Sequence, residues 1–139
     1  MKALVISLFF IFSFFTLNAY NPSDFGKLPT IYCEDPWYTL LLQGTKPVEG
    51  RKGLPKYRSL QPGDRVIFVC SGQEDTYFFA RVTKIDHFDS LDDYLLSVTL
   101  DKALPGIETL EEARTIYYQW STEEDIQKYG FLGIWIEIE

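Results

Sequence analysis

Thr30-Ile31-Tyr32-Cys33 is a short β-favouring run, and the period changes directly after it. Asp35-Pro36 offers a cap followed by proline at a first helical position. Trp37, Leu40 and Leu41 then repeat at i, i+3 and i+4, and Gly44 supplies a stop. Val48 to Arg51 can extend before a basic, Gly/Pro-containing stretch from Lys52 to Lys56. Gln61-Pro62-Gly63-Asp64 predicts a type II turn that launches a nearly continuous strand from Arg65 to Cys70. Ser71 to Asp75 reads as a polar hairpin loop, with Tyr77 to Ile85 returning as a strand.

The second half turns helical. Ser90 caps a short helix with acids in its first turn, and Pro105-Gly106 breaks the chain. Thr109 to Glu112 is a capping box, opening a helix whose apolar side holds Ala113, Ile116, Tyr117 and Trp120. Ser121 to Glu124 is a second box, and that helix ends near Gly130. Ile134, Ile136 and Ile138 alternate with Trp135, Glu137 and Glu139, the signature of a half-buried final strand. Strands early and last, with helices between, predict an α+β domain whose last strand closes a small sheet or barrel.

The N-terminus carries a different signal. Met1-Lys2 is followed by an apolar run from Ala3 to Leu17, ending at Ala19 before polar residues. This pattern predicts a secretory signal peptide over 1–19, a linker over 20–29 and one domain over 30–139, exported and free of the membrane once cleaved. An uncleaved anchor over 3–17 is the rival, although the run is short for a span of about 20 residues. A start codon further downstream is the third reading.

Cys33 and Cys70 are the two cysteines of the chain. In an exported domain they can form a disulfide, closing a loop worth about 3–4 kcal/mol, or stand as two buried thiols. One histidine, His87, and no Cys-x-x-Cys give no basis for a metal site, and no cofactor is expected. Asp92 and Asp93 read as a solvated helix start, and Trp37, Phe88 and Trp120 as packing residues.

The 139 residues carry a net charge of −7, unevenly spread. Residues 46–84 hold eight bases against four acids, whereas 85–139 hold three against thirteen. An acidic whole excludes a broad nonspecific grip on nucleic acid, which needs many phosphate contacts. A locally basic face still suits one phosphate or a short strand.

Within Gly44-Thr45-Lys46-Pro47-Val48-Glu49-Gly50-Arg51, an extended 48–51 places Glu49 and Arg51 on one face, with Lys46 at the preceding corner. This is either an anion-receptive corner or a structural Glu–Arg pair with Lys46 exposed.

Several spaced motifs give the chain a resemblance to the ASCH family of the PUA-like superfamily, over roughly residues 30–138. They are Gly44-x-Lys46-x-x-Glu49-x-Arg51, Lys56-Tyr57-Arg58, Pro62-Gly63-Asp64, Phe88 to Leu91, Leu104-Pro105-Gly106, Tyr117-Tyr118, and Glu124 to Gly130 before the Ile-rich strand. The resemblance implies a small PUA-like β-barrel of about five to six strands with flanking helices. It also implies a cleft for RNA or a nucleotide-like ligand, and a monomer is expected. Lys46, Glu49 and Arg51 would line that cleft, with Lys56, Tyr57 and Arg58 near its rim. Lys46 and Arg51 would hold phosphate or a base edge, Tyr57 would stack, and Glu49 would accept from an exocyclic amine. A branch of the family resembles amidohydrolases of acetylated cytidine, in which a lysine matching Lys46 acts as nucleophile or base. This chain departs from that branch, with Glu49 in place of its threonine and Leu104-Pro105-Gly106 where its later glutamate falls. An exported protein-interaction module is the remaining alternative.

Overall fold

The computed structural model describes residues 26–139, so the proposed leader lies outside the described residues. No helix among the described residues is long and apolar enough to cross a membrane.

Five strands and six helices make up the domain. The chain order is β1 (Thr30–Cys33), α1 (Trp37–Leu42), β2 (Val48–Lys52), α2 (Pro55–Arg58), β3 (Arg65–Cys70) and β4 (Gln73–Phe88). There follow α3 (Leu91–Val98), α4 (Leu100–Ala103), α5 (Leu110–Tyr117), α6 (Glu123–Tyr129) and β5 (Phe131–Ile138). The strands form a single curled sheet ordered β1-β3-β4-β5-β2, a half-barrel of the PUA-like kind. Only the β1–β3 pair is parallel. β4 and β5 hold the middle, and β1 and β2 are the two edges.

Local chemistry accounts for most boundaries. The Asp35 carboxylate accepts from the Thr39 backbone N–H at 3.0 Å, steadying the first turn of α1. The Asp64 N–H donates to the Gln61 carbonyl, and Gly63 sits at φ +95°, as a type II turn requires. Ser90, Thr109 and Thr122 each accept from the backbone N–H three residues on. The last of these corrects the expected Ser121 cap by one position.

Three further differences concern element bounds. The expected loop over 71–75 shrinks to a Ser71-Gly72 turn, because Gly72 takes φ +82° and lets β4 start at Gln73. The basic stretch divides, Lys52 ending β2 and Pro55-Lys56 opening α2, with Pro55 at its first turn. α5 ends at Tyr117, so Trp120 leaves the apolar helix face and is 46% exposed.

The sheet packs on both faces. One core gathers Ile31, Val66, Phe68, Ala80, Val82 and Ile134 within the curl. The other gathers Val48, Leu95, Ala113, Tyr117 and Phe131 beneath the helices, around a fully buried Tyr94. The Tyr94 ring lies 4.9 Å from that of Phe131 and 5.8 Å from that of Tyr117, centroid to centroid. It fits because the strands beneath it are thin, since Gly50 of β2 is paired with Gly133 of β5.

A Cβ on Gly50 would fall 2.8 Å from Phe131 and 2.9 Å from Tyr94, both rings locked in the core. Gly50→Ala is therefore expected to cost about 1–3 kcal/mol by overpacking, read by urea denaturation. A loss below about 0.5 kcal/mol, typical of an unconstrained surface position, would contradict this packing.

Candidate functional site

β2 alternates its side chains across the sheet. Val48 enters the helical core, while Glu49 and Arg51 share the opposite face and look toward the other edge strand. The half-barrel is open there, and side chains bridge the opening. Arg51 Nη2 donates to the Tyr32 carbonyl of β1 at 2.6 Å and to Glu49 Oε2 at 2.9 Å. The Cys33 thiol, also from β1, donates to Glu49 Oε2 at 3.2 Å.

Glu49 is the hub of this cluster. Its Oε1 accepts from the Gly50 N–H at 3.1 Å and stands 3.5 Å from Lys46 Nζ. Each carboxylate oxygen thus has two donors, which uses the acceptor capacity of the group. Burial alone would raise the Glu49 pKa, but Arg51 and Lys46 outweigh it and hold the group at about 2.

Lys46 sits beneath the cleft and does not belong to its wall. It is 1% exposed, and its ammonium donates to the carbonyls of Val48 (2.7 Å) and Ala103 besides meeting Glu49. Burial lowers its pKa, and Glu49 pushes the other way. Three acceptors around one nitrogen call for three hydrogens, so the geometry fits the charged ammonium. Neither reading of Lys46 from the sequence, as an exposed charge or as a group lining the cleft, matches this placement.

The cleft itself lies over the seam and has a volume of about 280 Å³. Its floor is Glu49, Gly50 and Arg51, and its walls include Trp37, Tyr57, Tyr117 and Trp120. Arg51 is bracketed by Tyr57, whose hydroxyl accepts from Nη1 at 3.3 Å and whose ring lies 5.7 Å from the guanidinium carbon. Lys52 is also on the wall, 3.4 Å from Asp125. The Lys56 ammonium also lies near the Tyr57 ring, at 5.3 Å from its centroid.

Of the expected site residues, the fold brings Glu49, Arg51 and Tyr57 into the cleft lining and leaves Lys56 exposed outside that lining. Arg58 is turned away. Its guanidinium donates to the Gly53 carbonyl at 2.7 Å and to that of Tyr129, tying α2 to the end of α6. The expectation that Glu49 accepts from a ligand amine meets a carboxylate already filled by four donors. Cys33 and Cys70, in register across the β1–β3 pair, stand as buried free thiols and not as a disulfide. The hydrogen of Cys33 is engaged on Glu49, and burial beside that carboxylate pushes its pKa up.

The aromatic walls are what the sequence pattern missed. Trp37 packs against both cores as expected and also lines the cleft, whereas Trp120 lines it while largely exposed; nothing in their spacing indicates which side of α1 or of the 118–122 turn faces the seam. A second hollow, of about 300 Å³, is lined by Asp89, Arg114, Tyr118 and Glu123, with Asp92 forked on Arg114 at 2.8 and 2.9 Å. Among the described residues no group of three or more His, Cys, Asp or Glu is placed to hold a metal ion.

No protein-family model matches the sequence, and no curated protein matches it. Solved structures do. Hypothetical protein PH0355 is 28% identical, with a TM-score of 0.69, covering 79% of this chain and 97% of its own. Protein PF0455 from Pyrococcus furiosus is also 28% identical, with a TM-score of 0.62, covering 78% and 94%. ASCH from Zymomonas mobilis is similar in fold, at 13% identity and a TM-score of 0.56, covering 78% of this chain and 65% of its own.

The filled carboxylate has a pH signature. The unfolded chain takes up a proton at Glu49 near 4.5, and the folded protein near 2. The stabilisation from ionised Glu49 is therefore complete above about 4.5 and is lost as pH falls toward 2. Glu49→Gln is expected to lose about 3–5 kcal/mol at pH 7, since it strands buried cations, and to show a shallower fall in stability between pH 4.5 and 2. Urea titrations at stepped pH read both, and an unchanged acid slope would contradict the assignment.

Proposed function

The described residues have the fold of an ASCH domain, and from that premise we propose that the seam cleft binds one nucleobase, carried by a nucleotide or unpaired in RNA. The observation that carries this reading is the convergence of Trp37, Tyr57 and Trp120 around a floor bearing the Arg51 guanidinium. Every base has a π-face, and stacking on aromatic walls is worth about 1–3 kcal/mol per base. A guanidinium at the floor adds a charge-assisted contact to a base edge or phosphate.

Size and charge favour a single unit over a long strand. The cleft, at about 280 Å³, lies just under the usual range of small-molecule sites, roughly 300–1,000 Å³. The chain as a whole is acidic at −7, and of the basic residues near the cleft Lys52 is paired and Arg58 is engaged on backbone. A track for many phosphates is lacking in this set.

The hydrolase alternative rests on Lys46, whose burial lowers its pKa. Against it, a nucleophilic lysine needs a free lone pair aimed at the substrate, and this nitrogen faces three acceptors below the cleft floor. Binding without amide hydrolysis is the reading the geometry favours.

Titration with nucleoside 5′-monophosphates, followed by thermal shift and calorimetry, tests the proposal. A saturating ligand at 100 times its Kd should stabilise the fold by about 2.7 kcal/mol. Trp120→Ala, on the exposed rim, should leave the unliganded melting temperature nearly unchanged and weaken binding about tenfold or more. No shift with any nucleotide at millimolar concentration would overturn the reading, and acetate release from N4-acetylcytidine would replace it with the hydrolase.

A further inference from the structure

We infer that the cleft selects its ligand by oxygen acceptors, taking the oxo member of a pair of bases in preference to the amino member. This rests on the reading that the cleft holds a nucleobase, and it follows from which polar groups of the lining are already used.

The floor has one carboxylate, and it is closed to a ligand. Glu49 Oε2 accepts from Arg51 and from Cys33, and Oε1 accepts from Gly50 and faces Lys46. An exocyclic amine pointing at this floor would meet no open acceptor. It would instead stand against Arg51, donor against donor. Burying an amine without a partner costs the full desolvation of that group.

Donors remain open. Arg51 Nη2 has both hydrogens engaged, on the Tyr32 carbonyl and on Glu49. Nη1 makes one long contact, to the Tyr57 hydroxyl, which leaves its second hydrogen and the Nε–H without a partner among the described residues. The indole N–H groups of Trp37 and Trp120 are likewise without a partner among the described residues, whereas that of Trp135 donates to Asp86 at 3.0 Å. The hydroxyls of Ser71 and Ser121 on the lining can donate or accept and so do not discriminate. Glu34 also borders the cleft, but it is exposed at the mouth, where water competes for its carboxylate. The lining side chains thus offer open donors on Arg51, on Trp37 and, at the mouth, on Trp120, against one open carboxylate, Glu34, also at the mouth, and a base edge of carbonyl oxygens complements the donors.

Two matched pairs share ribose and phosphate and exchange an exocyclic amine for an oxo group, the adjacent ring nitrogen gaining a hydrogen in each: uridine against cytidine 5′-monophosphate, and inosine against adenosine 5′-monophosphate. Calorimetry on the full chain should give the oxo member about tenfold tighter binding, or more, in both pairs. Trp120→Phe keeps an aromatic face but removes one donor, and should shrink the ratio while binding persists. Arg51→Met, checked for folding by thermal denaturation, should bring the ratio close to one. Equal affinities within the pairs, or a preference for the amino members, would overturn the inference while the base-binding reading stands. Absence of binding by all four nucleotides would overturn both.

Discussion

A half-barrel with two unpaired edges must either pair them or hold them together by other means, and here one buried carboxylate takes that part. Glu49 leaves β2 and receives a thiol from β1, a guanidinium from its own strand, a backbone N–H and an ammonium from the preceding corner. Each donor would be costly to bury alone, and together they neutralise and satisfy one another. Arg51 adds the second tie, reaching the Tyr32 carbonyl across the opening. The seam is closed by side chains instead of a ladder of backbone bonds, so a cleft can persist where a sixth strand would otherwise lie.

That arrangement sets the chemistry of the cleft before any ligand arrives. Lys46 supports Glu49 from below and thereby fixes the carboxylate, and the carboxylate orients Arg51 with part of its guanidinium facing outward. Burial of Tyr94 against Gly50 and Gly133 fixes the other side of the same strand. β2 is therefore held from both faces. A site carried on such a strand keeps its geometry better than one carried on a loop.

The sequence was most legible where local chemistry decides the outcome. The caps at Ser90 and Thr109, the turn at Pro62-Gly63 and the strand over 65–70 depend on near neighbours, and each forms. The pairing of Glu49 with Arg51 was also readable, because strand periodicity puts i and i+2 on one face. What depends on strand order was not. Cys33 lies sixteen residues from Glu49, and only the placement of β1 and β2 as the two edges of a curled sheet brings the thiol to the carboxylate. Trp120 belongs by spacing to the apolar face of α5, but the helix ends three residues earlier and the ring swings to the cleft mouth. The inward turn of Lys46 has the same origin, since its partner carbonyl on Ala103 is 57 residues away.

The uneven charge of the chain takes on a spatial sense once the seam is located. The acid-rich half folds into the helical layer, where Glu111, Glu112, Glu123, Glu124 and Asp125 occupy first turns and are favoured by the helix dipoles. The bases of the other half are mostly committed locally: Arg65 and Arg81 to Glu139, Arg58 to two carbonyls, Lys52 to Asp125. Near the cleft, positive charge stays available on exposed Lys56 beside Tyr57 and on the outward part of the Arg51 guanidinium, set in an acidic surround. Such a field repels a polyanion at a distance while leaving a local contact for one oxygen-bearing edge, because screening limits the reach of the surrounding acids to about 8–10 Å at physiological salt. Charge and shape thus act in the same direction, and both support the proposed reading of a small planar ligand held at one point.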